Sequence, residues 1–413
     1  MKERYEESKA FIKTFLLDPQ NGMISCTSDG WTSTSADGYI SMTLHVIRNW
    51  KLYHFLLAFK EIPLPHDAVN IAQGFLDIFE AYGITRLILS IVLDNASVNE
   101  AALRHYRNLL AKKYGADRKT LLHDELMHGR CFAHIVALIV KCCLEYLLPF
   151  LSKLRENNKT LRWKPVQQFI FQHALESFGN YEKDFKGRKW PSRDVCTRWN
   201  TTTEMCESTI PYKEVYARWF AATSGSNCAE LSDDEWRNSV ATTQLLASAR
   251  DATVVASGSN YPTIHLILGL VCELKMHIEY CLATAEEVQD AIVTEACESM
   301  LDKFGKYFDE MPFLYVIAAV LDPKLKFAFV EHCFNANPEK MTELGDKLNV
   351  VCSGFEDFHQ TPDSGLPRSS LSWRRRRWAT FLSFCRRWRF FWCSRSTRNS
   401  FWSWRWRVCF FWR

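Results

Sequence analysis

Apolar and polar positions change their spacing along the chain, from a period typical of strands to one typical of helices. After a helical stretch over residues 1–18, three runs alternate or concentrate apolar side chains as strands do, at residues 23–28, 39–47 and 50–59. The links between these runs are short and polar, which favours antiparallel hairpins. The pattern therefore predicts a three-stranded antiparallel meander near the amino terminus.

The next segments carry the signals of a layered α/β domain. Residues 68–82 space their apolar side chains at helical intervals, and Gly83 is a natural helix stop. Residues 86–93 (RLILSIVL) are apolar nearly throughout, as expected of a strand buried on both faces, and residues 97–113 form a second helical pattern. The order β-β-β-α-β-α predicts an α/β fold.

Strand signals nearly vanish after His134, and helical patterns take their place. These patterns cover residues 134–153, 166–181, 203–220, 233–251, 261–282 and 286–308. We therefore expect four parts: an amino-terminal helix (1–20), an α/β core (21–144), a large all-helical region (145–350) and a tail (353–413).

Charge separates the tail from the rest of the chain. The 413 residues carry a formal net charge of +4. Residues 368–413 contain 13 Arg, 8 Trp and no Asp, Glu or Lys, so removing their +13 leaves −9 on residues 1–367. A body of that charge has no global attraction to nucleic acid, and any such binding must rest on local sites.

Several classes of function are excluded by what the chain lacks. The charged start MKERYEES is not that of a signal peptide, and the longest apolar run, at residues 313–321, is too short to span a membrane. Twelve scattered cysteines in residues 1–367 favour a reduced cytosolic or nuclear compartment. No glycine-rich phosphate loop occurs, so nucleotide-triphosphate chemistry has no support.

Two aspartates follow predicted strands and could converge. Asp29 lies in SDGWTS (28–33) at the end of the first strand, and Asp94 lies in LDNAS (93–97) at the end of the fourth. Converging carboxylates bind divalent metals and support phosphodiester chemistry. The alternative is purely local: Asp29-Gly30 is a turn sequence, and Asp94 or Ser97 caps the next helix.

Two further motifs could carry chemistry. Cys131 and His134 have the spacing of half a zinc site, and His123 and His128 lie nearby. Because no second Cys-x-x-Cys pair accompanies them at finger spacing, the sequence favours a buried cysteine beside a hydrogen-bonded histidine. Arg198 beside Trp199 suits a phosphate contact next to a base-stacking surface, or a core tryptophan with a solvated arginine. The basic stretch KDFKGRK (183–189) could contact phosphates or be a solvated loop.

Taken in order, these motifs resemble those of the hAT superfamily of DNA transposases, above all plant Ac-like elements and their BED zinc-finger relatives of the RICESLEEPER type. The resemblance covers about residues 5–350. The matching motifs are SDGWTS (28–33), GYISMTLHVI (38–47), IPLPH (62–66), LDNASVN (93–99), HGRCFAHIVALIV (128–140), DVCTRWNTT (194–202), SGSNYPT (257–263), MLDKFGKYF (300–308) and IAAVLDPKLKF (317–327).

The resemblance implies an RNase H-like catalytic core interrupted by a large helical insertion domain. It implies that Asp29 and Asp94 are two of three catalytic acids that bind Mg²⁺ or Mn²⁺. Cys131 and His134 match the family's C-x-x-H motif beside the active site. Arg198 and Trp199 match its RW motif, whose Trp stacks on a flipped base. DNA is the implied partner, the nucleus the implied location, and a homodimer the implied assembly.

The sequence departs from the family pattern in ways that lower the expected activity. The third acid, a Glu in a carboxyl-terminal dimerisation segment, is not found, and neither is the BED zinc finger. Ala137 also replaces an Asn of the C-x-x-H region. We therefore expect a transposase-derived DNA-binding protein without catalysis, or a domesticated transcriptional or developmental regulator.

The Arg/Trp-rich tail has two interpretations. Arginine with aromatic residues suits a nucleic-acid or membrane-binding arm. Because the tail begins where the family motifs stop and contains no Lys, we expect instead an irregular segment translated in a shifted frame or through an intron.

Overall fold

The structure, a computed structural model, describes most of residues 2–348. The gaps in this range are residues 19–20, 34, 36, 50, 64, 66, 115–127, 179–183, 197, 224–227, 309–312, 323, 335–338 and 340. The tail predicted at 353–413 lies outside the described residues.

The amino-terminal part alternates helices with the strands of a single sheet. Its elements are α1 (Lys2–Leu16), β1 (Ile24–Thr32), β2 (Gly38–Arg48), β3 (Lys51–Ile62), α2 (Ala68–Tyr82), β4 (Ile88–Leu93), α3 (Ser97–Tyr114) and β5 (His128–Arg130). These bounds confirm the predicted order of three strands, a helix, a strand and a helix.

The sheet has five strands in the order β3-β2-β1-β4-β5. The first three strands pair antiparallel, whereas β4 pairs parallel with β1, and β5 parallel with β4. This mixed sheet confirms the α/β fold. The sequence did not predict β5, because three residues are too few to show an alternating pattern.

One face of the sheet is covered by helices. Alternate residues of β2 (Ile40, Met42, Leu44 and Val46) are buried there with α2 and α3, while the residues between them are only half-buried. Such alternation is what a strand with one core face requires. Gly83 ends α2 with a φ of 71°, a left-handed conformation that glycine adopts without strain.

The remainder of the described chain is helical, as predicted, and residues 145–348 contain no strand where they are described. The helices are α4 (Phe132–Tyr146), α5 (Leu148–Trp163), α6 (Pro165–Glu176), α7 (Trp199–Thr209), α8 (Lys213–Ala222), α9 (Asp233–Ala256), α10 (Ile267–Glu287), α11 (Ala291–Phe308), α12 (Phe313–Leu321) and α13 (Lys326–Cys333).

Prolines divide two of the helices that the sequence pattern presents as continuous. α4 and α5 meet at an angle of 89°, with Pro149 in the first turn of α5. A 3₁₀ turn over Ile210–Tyr212, which contains Pro211, separates α7 from α8. Proline has no N–H to donate, so it fits a first helical turn and interrupts a longer helix.

Buried side chains form two clusters, and α12 joins them. Leu314 and Val316 pack with the sheet cluster, whereas Tyr315 packs with the helical cluster and its hydroxyl donates to Arg130 O at 2.5 Å. A Cβ on Gly129 would lie 2.7 Å from Val92 Cγ2 and 3.4 Å from Leu314 Cδ2. Glycine in β5 therefore permits the close approach of α12 to β4 and β5.

No single helix in the described part of the chain is long and apolar enough to cross a membrane. The sharply bent pair α4 and α5 meets that criterion only when the two helices are counted together.

Candidate functional site

Strand register places Asp29 beside Asp94. Thr27 pairs with Val92 at the last position where the parallel strands β1 and β4 pair. Extending this register by two residues along each chain sets Asp29 opposite Asp94. Neighbouring strands lie about 4.8 Å apart. The Oγ atoms of Ser25 and Ser90 lie 3.0 Å apart, and these serines share their sheet face with the aspartates by alternation. Both carboxylates thus lie on one face of the sheet, Asp94 just after the end of β4 and Asp29 within β1. The prediction that the first strand ends or turns at Asp29-Gly30 was wrong, because β1 stays paired with β2 as far as Thr32.

The two carboxylates differ in their surroundings. Asp94 is half-buried, and its Oδ1 accepts hydrogen bonds from Ala96 N at 2.9 Å and from Asn99 Nδ2 at 2.5 Å. Asp94 therefore shapes the turn into α3, as the local alternative predicted, while Oδ2 makes no hydrogen bond to the described residues. Asp29 is exposed and has no ion-pair partner in the described chain.

The donor set at this edge fits a weakly held divalent cation. Within the described ranges, no group of three or more His, Cys, Asp or Glu side chains is arranged to hold a metal. Mg²⁺ is commonly held by only one or two carboxylates, with substrate phosphates and water completing its octahedron. Asp29 and Asp94 could supply those two carboxylates to Mg²⁺ or Mn²⁺.

Cys131 lies at the same edge of the sheet. Its backbone N–H donates to Leu93 O at 2.8 Å, which places it next to Asp94 on the side away from Asp29. Cys131 precedes the first residue of α4, and His134 lies half-buried in the first turn of that helix. The register thus brings Asp29, Asp94 and Cys131 into one row across β1, β4 and β5.

The described residues do not assemble a zinc site around Cys131. His123 lies outside the described residues. His128 points its Nε2 into a buried position without a hydrogen-bond partner in the described chain, and burial, followed by the charge of Arg130, lowers its pKa. A neutral, buried imidazole in this position fits a structural role for His128 within the sheet.

Arg198 and Trp199 lie at the start of α7 in the helical part. The Arg198 side chain is exposed, while Trp199 is half-buried against the helical cluster. Among the described residues, no hydrogen bond or ion pair joins either side chain to Asp29 or Asp94. The structure therefore brings the two aspartates together, but it does not join them to the Arg-Trp pair by direct contact.

An ion pair that the sequence did not reveal fixes the segment before Arg198. Asp194 Oδ2 accepts from Arg155 Nε and Nη2, both at 2.8 Å, and from Thr202 Oγ1 at 2.9 Å. The Asp194 side chain is only 4% exposed, and a buried carboxylate requires such partners. The one sequence signal was the position of Asp194 in the DVCTRWNTT motif.

Comparison with known families gives three matches along the chain. Residues 27–120 match the ZBED1 RNase-like domain, residues 129–245 match the ZBED1 RNase-like helical domain, and residues 265–360 match the hAT-like transposase with an RNase-H fold. The resemblance to hAT transposases is thereby confirmed: successive parts of the chain match two ZBED1 RNase-like domains and a hAT-like transposase domain with an RNase-H fold.

Individual relatives agree with this family. A Zea mays protein that carries the name AC transposase is 26% identical over 333 residues, covering 79% of this chain and 39% of its own length. RICESLEEPER 2 of Oryza sativa subsp. japonica is 23% identical, covering 80% and 44%. DAYSLEEPER of Arabidopsis thaliana is also 23% identical, covering 84% and 49%. The chain thus spans less than half the length of each of these relatives.

Proposed function

We propose that this chain is a nuclear, hAT transposase-derived protein that binds DNA and does not cut it. The observation that carries the proposal is the register that sets Asp29 beside Asp94 in a chain of this family. Membership of a transposase family implies DNA as the partner. The described residues bring two acids to the sheet edge, whereas two-metal phosphoryl transfer needs a fuller ligand set.

In this proposal the sheet edge is a weak phosphate-binding position. Asp29 and Asp94 would hold Mg²⁺ or Mn²⁺, which would supply positive charge against a DNA phosphate. Asn99 and the N–H of Ala96 orient the Asp94 carboxylate through Oδ1 and leave Oδ2 to face outward. The protein thereby positions a phosphodiester without activating a nucleophile.

Arg198 and Trp199 supply the second part of the proposed contact. The exposed Arg198 guanidinium pairs with a backbone phosphate, and the half-buried Trp199 offers a ring face to an unstacked base. Because no direct contact joins this pair to the aspartates in the described chain, DNA is the proposed link between the two. A domesticated regulator would use the same contacts, since it too needs binding without cleavage.

Fluorescence anisotropy with a labelled DNA duplex tests the proposal. We expect binding whose affinity falls steeply with salt, because phosphate contacts release counterions. The double variant Asp29→Asn with Asp94→Asn should bind more tightly without metal, since two negative charges leave the phosphate site. It should also lose any gain in affinity that Mn²⁺ gives the wild type. Absence of salt-dependent affinity in the wild type would overturn the proposal.

A further inference from the structure

A segment without regular secondary structure, residues 188–195, is fixed along the length of α7. Its anchors are spaced evenly: Lys189 O accepts from Tyr212 Oη at 3.2 Å, Ser192 N donates to Ser208 Oγ at 2.9 Å, and Val195 N donates to Thr201 Oγ1 at 2.8 Å. Later residues of the segment bond to earlier residues of the helical stretch, so the two run antiparallel.

The spacing of these anchors shows that the segment is nearly extended. The helical stretch from Thr201 to Tyr212 rises by about 16 Å. The six steps from Lys189 to Val195 cover that length, at about 2.7 Å per step, which approaches the rise of a strand. Buried Asn158 adds a further anchor, because its Nδ2 donates to Ser192 O at 2.7 Å.

The side chains that this segment presents to solvent are mainly cationic. Arg188, Lys189 and Arg193 are exposed, and none of them has an ion-pair partner among the described residues. The acid of the segment, Asp194, is turned inward and is neutralised by Arg155. The three cations therefore lie on a backbone that hydrogen bonds to neighbouring helices already fix.

We propose that Arg188, Lys189 and Arg193 form a basic ridge that binds the phosphate backbone of duplex DNA. The inference rests on the proposed DNA-binding function and assigns it a surface distinct from the aspartates and the Arg-Trp pair. Three exposed cations within six residues attract phosphates although residues 1–367 carry −9, and a fixed backbone lowers the entropy lost on binding. Because the contacts are to phosphates, the ridge binds without regard to base sequence.

A triple variant with a matched control tests the ridge. The ridge variant carries Arg188→Gln, Lys189→Gln and Arg193→Gln. The control variant carries Arg4→Gln, Lys112→Gln and Lys306→Gln, which removes the same charge from exposed helical positions. The affinity of each for a short mixed-sequence duplex is measured over a range of salt concentrations, and circular dichroism confirms that each is folded.

The ridge variant should bind about tenfold or more weakly at low salt. Its plot of log affinity against log salt should be less steep by about 0.9 for each phosphate that it no longer neutralises. The control should keep most of the wild-type affinity and slope. Equal behaviour of both variants, with the wild type still binding, would overturn the ridge and leave the proposed function standing. A wild type that binds no DNA would overturn both.

Discussion

The Asp94 side chain has a structural and a proposed functional role, and two substitutions separate them. Asp94→Ala removes the acceptor for Ala96 N and Asn99 Nδ2, and we expect it to lower the free energy of unfolding by about 1 kcal/mol. Asp94→Asn keeps an acceptor oxygen and should cost only a few tenths of that amount. Urea unfolding followed by circular dichroism measures both. Equal stability of Asp94→Ala and wild type would mean that the cap is unimportant.

His45 gives the fold a dependence on pH. Burial, followed by the charge of His54, lowers the pKa of His45 from its ordinary value of 6.5, and Thr27 Oγ1 lies 3.0 Å from His45 Nε2. The folded state then disfavours the proton that the unfolded chain accepts. The stability that depends on a neutral His45 is complete above pH 6.5, and it is lost as the pH falls towards the lowered pKa of the folded state.

The variant His45→Gln cannot take up that proton and can still hydrogen-bond with Thr27. Its thermal midpoint should therefore fall less than that of the wild type between about pH 6.5 and about pH 5. Thermal denaturation at several pH values provides the measurement. Parallel curves for the two proteins would show that His45 does not contribute.

Among single residues, the sequence pattern predicts the site aspartates Asp29 and Asp94 but not the hydrogen-bond partners that only the fold supplies. The end of β4 before Asp94 could be predicted from local sequence, whereas the continuation of β1 through Asp29 to Thr32 could not, because Asp29-Gly30 is a common turn sequence. The bond between Arg155 and Asp194 could not be predicted either, because 39 residues separate the partners and only the tertiary fold brings α5 to the segment before α7. The unpaired Nε2 of His128 likewise depends on β5, which left no periodic signal.

Within α7, two buried threonines provide a matched pair. Thr209 Oγ1 donates to Met205 O at 2.8 Å and accepts from Asn158 Nδ2 at 3.0 Å, whereas Thr203 Oγ1 has no partner in the described chain. Both residues are fully buried. Thr209→Val should cost about 1–3 kcal/mol, because it leaves an amide donor short of an acceptor.

Thr203→Val, by contrast, should be neutral or slightly stabilising, since it removes a buried hydroxyl that lacks a partner. Urea unfolding of the two variants side by side compares the same chemical change in the same helix. A similar loss of stability in both would contradict the hydrogen-bond assignment.

Apolar periodicity predicted the helices and strands well where the buried residues of an element recur at regular intervals. β2, α2, β4 and α3 lie close to their expected positions, because β2 and the two helices bury one regular face and β4 is apolar nearly throughout. Pattern alone extended the predicted helices through Pro149 and Pro211, where the missing N–H ends one helix and starts another. The path of residues 188–195 along α7 has no signature in the sequence, since side chains on another element hold its backbone.

In the whole molecule, the two hydrophobic clusters do not correspond to two continuous segments of the chain. Phe313 and Leu344 pack with the sheet cluster although the helical region lies between them and the strands in sequence. Apolar periodicity shows which face of a helix is buried but not which cluster that face packs against. The sequence therefore could not predict that these residues pack with the strands. The boundaries expected at residues 20, 144 and 350 stay predictions, and we propose that α12 couples the two clusters through Tyr315.

Binding without cleavage is the central claim, and a plasmid assay tests it most directly. Supercoiled plasmid is incubated with excess protein and Mn²⁺, and each sample is divided between a native gel and a gel run after the protein is removed. We expect plasmid that is retarded on the native gel and remains fully supercoiled after the protein is removed. Nicked or linear plasmid that disappears with the Asp29→Asn and Asp94→Asn double variant, or plasmid that is never retarded, would contradict it.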